Sequence, residues 1–342
     1  MKAFITGWTG QDATHLTKLL LEKGYTVIGL VRRVSTEPPF RMRKGYDFTE
    51  AINSGQLILE TGDLLDPSSL RRIITQHQPD EIYNLGAQSH VGLSFKQPEL
   101  TTQIDYIGVM NLISALECCH DGTWKMYQAS TSEMYGAKEK GSILNEKSEL
   151  NPNSPYAIAK TASHYYCRSK RSQGLFISTG ILFNHEGELR GADFVTMKIA
   201  NGVNSWIQDP ENILELGNMN SVRDWGYANC FVKAMFAMLQ QDEPDEYVIA
   251  TGEVHTVREF VESAFKAKNL SIKWQGEAEN EKGYVNGVLA VRVNPEFYRP
   301  NEVGYLLGDS TKAREVLGWK PEVSFQQLVK IMTDSATDKA RG

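Results

Sequence analysis

At 342 residues, 41% hydrophobic and 23% charged, the chain is long enough to build a large core, as one big domain or as two lobes. A net charge of −6 gives no overall electrostatic reason to meet nucleic acid, and no apolar run approaches the roughly 20 residues that span a bilayer. Cys118, Cys119, Cys167 and Cys230 lack metal-ligand spacing, the seven histidines hold no close pair, and Lys2-Ala3-Phe4-Ile5-Thr6-Gly7 does not read as a leader, so reduced thiols, a cytoplasmic setting and no metal are expected.

Residues 1–7 read as a short buried strand running into a glycine turn. A helix follows over Gln11–Lys23, with Gly24 as its C-cap, and then a strand over Tyr25–Val31. Strand, glycine turn, helix and strand within about 30 residues open a dinucleotide-binding, Rossmann-type fold. Gly7 and Gly10 let the backbone turn and approach a pyrophosphate at the positive end of the helix, and Ala13 is small enough for close helix–strand packing. Where an NAD site usually carries a carboxylate, the second strand ends in Val31-Arg32-Arg33. Guanidinium groups there suit a 2′-phosphate and so NADP; the alternative is two solvated surface arginines.

Ser35–Ile52 is polar, contains Pro38 and Pro39, and reads as a loop with a short helix. A third strand spans Leu57–Glu60, followed by Gly62-Asp63-Leu64. Asp63 either accepts from an adenine amino group or caps the helix that starts near Pro67. The strand Glu81–Leu85 opens into Gly86-Ala87-Gln88-Ser89, small residues that let a cofactor pass. A helix over Thr101–Glu117 and a strand over Lys125–Ala129 come next.

That strand delivers Ala129-Ser130-Thr131-Ser132-Glu133, and Tyr156 and Lys160 stand four apart beyond it, on one face if that segment is helical. On one helix face, a cation beside a phenol favours the phenolate; the competing reading is an ordinary exposed pair. On an extended segment Thr131 and Glu133 would share a side. The strand Ile177–Phe183 ends in Asn184-His185-Glu186, where His185 alone would suit a structural role. Lys198, Arg223 and Arg299 are cations able to hold an anionic ligand or to lie solvated, and the residues after Met332 read as frayed.

Together these landmarks resemble the extended short-chain dehydrogenase/reductase superfamily and, within it, the GDP-mannose 4,6-dehydratase family over nearly the whole chain. The superfamily is marked by the Gly7-Trp8-Thr9-Gly10-Gln11-Asp12 turn with Tyr156 and Lys160. The narrower family is marked by Ser130-Thr131-Ser132-Glu133, Asn184-His185-Glu186 and Ala250-Thr251-Gly252-Glu253-Val254-His255. Trp8, Ala13, Val34 and the prolines in Thr36–Phe40 depart from the family pattern, and the resemblance implies that the Thr36–Phe40 loop helps bind cofactor and build a subunit contact.

The resemblance implies an α/β fold: a doubly wound parallel sheet with a smaller C-terminal α/β substrate-binding lobe. The NADP-binding domain would span 1–180, rejoined by about 221–252, and 181–342 would mainly hold the nucleotide sugar. It implies conversion of GDP-mannose to GDP-4-keto-6-deoxymannose by a hydro-lyase that shuttles hydride through NADP. Tyr156 would act as base on the 4-hydroxyl, assisted by Thr131 and Lys160, and Glu133 would serve the C5 proton and the C6 hydroxyl. Cofactor contacts would come from Gly7, Thr9, Gly10, Gln11, Asp12, Arg32, Arg33, Ser35, Asp63, Leu64, Leu85, Gly86, Ala87, Gln88, Ser89, Tyr156, Lys160, His185 and Arg190. The substrate would meet Ser89, Thr131, Glu133, Asn184, Val195, Lys198, Arg223, Arg299 and Glu302, and the enzyme would be a homodimer or homotetramer. Alternatives are a nucleotide-sugar reductase or epimerase, a dehydratase with an added reductase step, or a non-catalytic NADP-binding regulator.

Overall fold

The computed structural model describes residues 1–33, 42–43, 45–297 and 305–336. Its first lobe alternates strand and helix: β1 (Lys2–Thr6), α1 (Gln11–Glu22), β2 (Thr26–Val31), β3 (Leu57–Thr61), α2 (Pro67–His77), β4 (Glu81–Asn84), α3 (Gly108–Cys119), β5 (Lys125–Thr131), α4 (Pro155–Ser172), β6 (Ile177–Leu182), α5 (Ala228–Leu239) and β7 (Glu246–Ile249). The seven strands form one parallel sheet in the order β7-β6-β5-β4-β1-β2-β3. The chain builds outward from β1 in both directions, so the order reverses between β1 and β4, where open parallel sheets bind ligands.

Both faces of the sheet are covered, which is why its strands read as continuous apolar runs. On one face α2, α3 and Cys167 of α4 pack over Phe4, Ile28, Ile82 and Met126. On the other, α1 and α5 cover Ile5, Val27 and Tyr127, and Ala313 and Trp319 from late in the chain join the same core. The second lobe packs the helices Val195–Gln208, Val257–Ala267 and Phe325–Ser335 around Phe260, Phe265, Trp206 and Trp225. Beside them lies a four-stranded sheet in the order Leu214–Leu216, Val288–Val293, Lys282–Val285, Ile272–Gln275. Capping boxes at Thr256/Glu259 and Ser324/Gln327 start two of its helices.

Several local expectations change. The helix expected over Thr101–Glu117 is three pieces: Pro98–Thr102, a π-helical turn at Gln103–Ile107, and α3. The polar stretch before β3 contains a short hairpin, Met42–Arg43 with Tyr46–Asp47. The cap of α2 is Asp66, which accepts from Ser68 N, whereas Asp63 turns its carboxylate to Leu65 N. Of the tail after Met332, the helix continues to Ser335 and residues 337–342 lie outside the described residues. No helix among the described residues is long and apolar enough to cross a membrane.

Candidate active site

A cleft of about 1030 Å³ runs from the Gly7–Gln11 turn, past the ends of β4, β5 and β6, to Phe297 in the second lobe. At its sheet end the backbone of Gly7 touches that of the β4 loop. A Cβ on Gly7 would stand 2.7 Å from Gly86 N, and its φ of +64° is one that glycine adopts freely. Gly10, Gln11 and Asp12 form the first turn of α1 and line the cleft. Gln11 Oε1 and Asp12 Oδ1 are buried there without a hydrogen-bond partner among the described residues. Helix N-H groups, a glycine cradle and unpaired buried acceptors together fit a phosphate-bearing ligand with hydroxyl groups, as a dinucleotide is.

The structure brings most of the expected cofactor residues to this end. Leu85, Ala87, Ser89, His185 and Arg190 line the cleft with Gly7, Gly10, Gln11 and Asp12. Thr9 is exposed on the turn, and Leu64 is buried where a Cβ on Gly86 would point. Gln88 is tied back, its amide donating to Thr101 Oγ1 and the His90 carbonyl. Arg32 and Arg33 are exposed just past β2. Ser35, Arg299 and Glu302 lie outside the described residues.

Asp12 Oδ2 and His185 Nε2 are 2.8 Å apart, joining α1 to the short strand Asn184–Glu186. Burial disfavours both charges, but each outweighs it for the other: Asp12 lies below its ordinary range and His185 above its own. His185 Nδ1 also meets the Phe183 carbonyl at 2.8 Å, and its ring stacks on Phe231.

Thr131 closes β5, and Glu133 lies not on an extended segment but on the 3-10 turn Ser132–Tyr135 that follows. The shared side therefore has a different cause: the Glu133 N–H donates to Thr131 Oγ1 at 3.2 Å, curling the turn over the strand end. Tyr156 enters at the start of α4, which Ser154 caps and Pro155 opens. Its phenol lies within the influence of the Thr131 hydroxyl. Lys160 is buried one turn on, its Nζ donating to the Ala129 carbonyl at 2.6 Å. Thr131, Glu133, Tyr156 and Lys160 all line the cleft.

The electrostatics of this group differ from the simple expectation of a phenol acidified by Lys160. Burial pushes the Tyr156 hydroxyl well up, with Asp105 and Glu133 adding to it, while the Thr131 hydroxyl and Arg190 pull it down. Burial pulls Lys160 down, and Asp105 works against that. Asp105 is a residue that sequence reasoning missed. It sits on the π-helical turn, nearly inaccessible, with Oδ1 accepting from Gln88 N at 2.7 Å and Oδ2 unpaired. Burial pushes its carboxyl up to about 6, against the influence of Lys160 and the Gln88 N–H.

Toward the second lobe, Glu186 organises the wall. It accepts from Thr196 Oγ1 at 2.7 Å and pairs with Arg190 at 3.0 Å, whose guanidinium lies over Phe194. That fixes the start of the helix carrying Val195 and Lys198. Lys198 Nζ stands 3.6 Å over the Phe297 ring, and burial pulls it down while Glu215 pulls it up. Arg223 is paired through its backbone with His255, and the adjacent Asp224 accepts from Thr251 and Gly252. Asn184, Val195, Lys198 and Arg223 thus reach one cleft from three segments.

A family model described as GDP-mannose 4,6 dehydratase matches residues 4–332. The human GDP-mannose 4,6 dehydratase is 45% identical over 343 residues, which cover 99% of this chain and 92% of the human one. Among solved structures, the UDP-glucose 4-epimerase of Thermus thermophilus in complex with NAD is similar at a TM-score of 0.79 and 24% identity, over 98% of both chains. RMD from Pseudomonas aeruginosa complexed with NADPH is similar at 0.75 and 22%, again over 98% of both. These structures share the parallel-sheet fold, while the sequence match is full-length and specific. The chain therefore belongs to the GDP-mannose 4,6-dehydratase family, enzymes of the hydro-lyase kind.

Proposed function

We propose that this protein converts GDP-mannose to GDP-4-keto-6-deoxymannose with NADP as its internal hydride carrier. The observation that carries the reading is Glu133: a carboxylate on the turn that Thr131 Oγ1 anchors, in the same cleft as Tyr156 and Lys160. A simple alcohol dehydrogenation needs no second acid/base; elimination of water does. Human GDP-mannose 4,6 dehydratase supports the substrate, and the complex of RMD with NADPH supports a nicotinamide cofactor. Arg32 and Arg33, exposed where an NAD site usually has an acid, favour the 2′-phosphorylated form.

The bound nicotinamide supplies a hydride acceptor and donor within one turnover. The chain's own residues handle the protons. Tyr156, as phenolate, takes the proton of the sugar 4-hydroxyl, with Thr131 hydrogen-bonding the same oxygen. Because burial holds the phenol high, that phenolate depends on nearby positive charge and on the Thr131 hydroxyl, and Arg190 already acts in this direction. A carbonyl at C4 acidifies the C5 proton, which Glu133 removes; the protonated Glu133 then donates to the departing C6 hydroxyl, and Tyr156 returns a proton to C5. Gly10, Gln11, Asp12, His185 and Arg190 orient the cofactor, and Asn184, Lys198 and Arg223 receive the nucleotide diphosphate.

We also assign a cytoplasmic setting, on cysteine usage, and a homo-oligomer. Ile158 and Tyr165 of α4, with Leu100 and Ile107 beside it, expose apolar side chains suited to a second copy. Light scattering should give a mass above that of one chain.

Mass spectrometry of GDP-mannose after incubation with protein and NADP+ tests the main reading. Loss of one water with no net cofactor reduction is expected, and a further gain of two hydrogens with NADPH would add a reductase step. Unchanged substrate with folded, NADP-bound protein would sink the assignment. Glu133→Gln should fold and bind cofactor yet lower water elimination by about 100-fold or more, the range of a lost general acid/base; normal turnover would remove Glu133 from the mechanism.

A further inference from the structure

From Ser130, which lines the cleft, a line of buried polar side chains runs back through three elements and has no part in the chemistry above. Along β5 the even-numbered residues face α4. Met126 shares a core with Cys167, and Ser130 brings its Oγ to 3.0 Å from His164 Nδ1. His164 Nε2 stands 3.2 Å from Glu246 Oε2 on β7, and Glu246 Oε1 accepts from Arg168 Nη2 at 2.8 Å. Ser130, His164 and Glu246 are all nearly inaccessible. The contact of His164 with Glu246 Oε2 is one of proximity rather than an aligned hydrogen bond, and that oxygen has no hydrogen-bond partner among the described residues; buried polar groups this close still tie together the elements that carry them.

The chemistry of the line runs in one direction. Burial raises the Glu246 carboxyl, but His164, Arg168 and Arg171 outweigh it and leave the group below its ordinary range. The Glu246 carboxylate lies on the Nε2 side of the His164 ring and Ser130 on its Nδ1 side, so the two ring nitrogens face different partners.

Ser130 immediately precedes Thr131. His164 stands four residues beyond Lys160 and eight beyond Tyr156, on the same face of α4. Lys160 Nζ to the Ala129 carbonyl forms a neighbouring tie. Consecutive residues of β5, Ala129 and Ser130, are thus both fastened to the helix that carries Tyr156.

We propose that Ser130, His164 and Glu246 are positioning residues that hold β5 against α4, so that the Thr131 hydroxyl and the Tyr156 phenol converge on one substrate oxygen. The proposal rests on the dehydratase reading for its kinetic consequence, but its structural content stands apart from it. A misplacement of about 1 Å at a reacting centre can cost about 100-fold. With the Lys160 tie still in place, loss of this line should cost about tenfold in kcat.

The test compares Ser130→Ala, His164→Phe and His164→Gln in the full chain loaded with NADP+. Glutamine can accept from Ser130 and donate to Glu246, whereas phenylalanine can do neither. One readout is kcat and KM with GDP-mannose. The other needs no substrate: the ring-carbon resonance of Tyr156 in 13C-tyrosine-labelled protein, assigned by Tyr156→Phe, which reports the surroundings of its phenol, the Thr131 hydroxyl among them. Ser130→Ala and His164→Phe should lower kcat about tenfold, keep KM within twofold and shift the resonance, and His164→Gln should recover most of both. An unmoved resonance, or His164→Gln as impaired as His164→Phe, would overturn the proposal and leave ordinary packing. Failure of the unaltered protein to dehydrate GDP-mannose would defeat the dehydratase reading alone, and the resonance would then decide this proposal.

Discussion

At Asp105, burial holds the carboxyl at about 6 against an ordinary value of 3.8. A raised folded value stabilises the fold most below the ordinary value, and that contribution is lost as pH rises through about 6. At pH 8 the ionised group is therefore a cost to the fold, while its charge helps Lys160 stay protonated against burial. Asp105→Asn should raise the thermal midpoint at pH 8 and hardly move it at pH 4, while lowering kcat by about tenfold. Equal shifts at both pH values would count against an ionised Asp105. At the other end of the cofactor, replacing Arg32 and Arg33 with alanine should weaken NADP by at least about tenfold more than NAD, as loss of charge-assisted bonds to a phosphate would; calorimetric titration with both dinucleotides decides it. The four catalytic candidates were legible because their residue types announce acid/base chemistry. Asp105 was not, because an aspartate inside a helical stretch looks solvated until the π-turn rotates it inward.

The turn from β1 into α1 separates two kinds of glycine. Gly7 has a positive φ and backbone atoms of Leu85 and Gly86 within 2.8 Å of where a Cβ would be, whereas a Cβ on Gly10 would meet only the Gly7 carbonyl, at 3.2 Å. Gly7→Ala should cost the fold about 1–3 kcal/mol through strain alone and more through the clash. Gly10→Ala should leave the thermal midpoint within a degree or two and weaken cofactor binding instead. Thermal melts with and without NADP+ distinguish the two, and equal destabilisation would refute the assignment of separate roles. This turn and β2 could be read from sequence because each carries a local signal: glycine spacing and a short apolar run. The π-turn before α3 and the hairpin before β3 carry none, and the π-turn has a distant partner in the packing of Tyr106 on Tyr166. The 3-10 turn holding Glu133 is capped from two residues away by the Thr131 hydroxyl, a signal too short to tell from an extended segment. In the second lobe the strands are only three to six residues long, so even the two-residue alternation of Leu214-Glu215-Leu216 and Ile272-Lys273-Trp274-Gln275 is too brief to stand out.

Across the whole molecule the chain does not finish one lobe before starting the other. After the helix Val195–Gln208 it returns to lay down α5 and β7, departs again, and comes back at Ala313 and Trp319. Trp319 is buried, donates from its indole to the Cys230 carbonyl at 2.7 Å and meets Phe231 edge-on. Trp319→Ala should therefore cost about 3–5 kcal/mol. The loss should appear as one earlier cooperative transition in urea that includes the cofactor-binding sheet, and a separate early step confined to the C-terminal residues would contradict it. Membership of a parallel-sheet fold was legible from the strand–helix alternation, but not which late residues complete it, because nothing local marks a tryptophan as belonging to a core built 300 residues earlier.

That interleaving has an evolutionary corollary. A substrate lobe encoded as one uninterrupted block could be exchanged whole between enzymes by a single recombination event. Here any such cut would carry off β7, the edge of the cofactor sheet, or strand Trp319 away from its socket. New sugar specificities in a chain threaded this way must arise by point changes along the cleft wall rather than by trading modules.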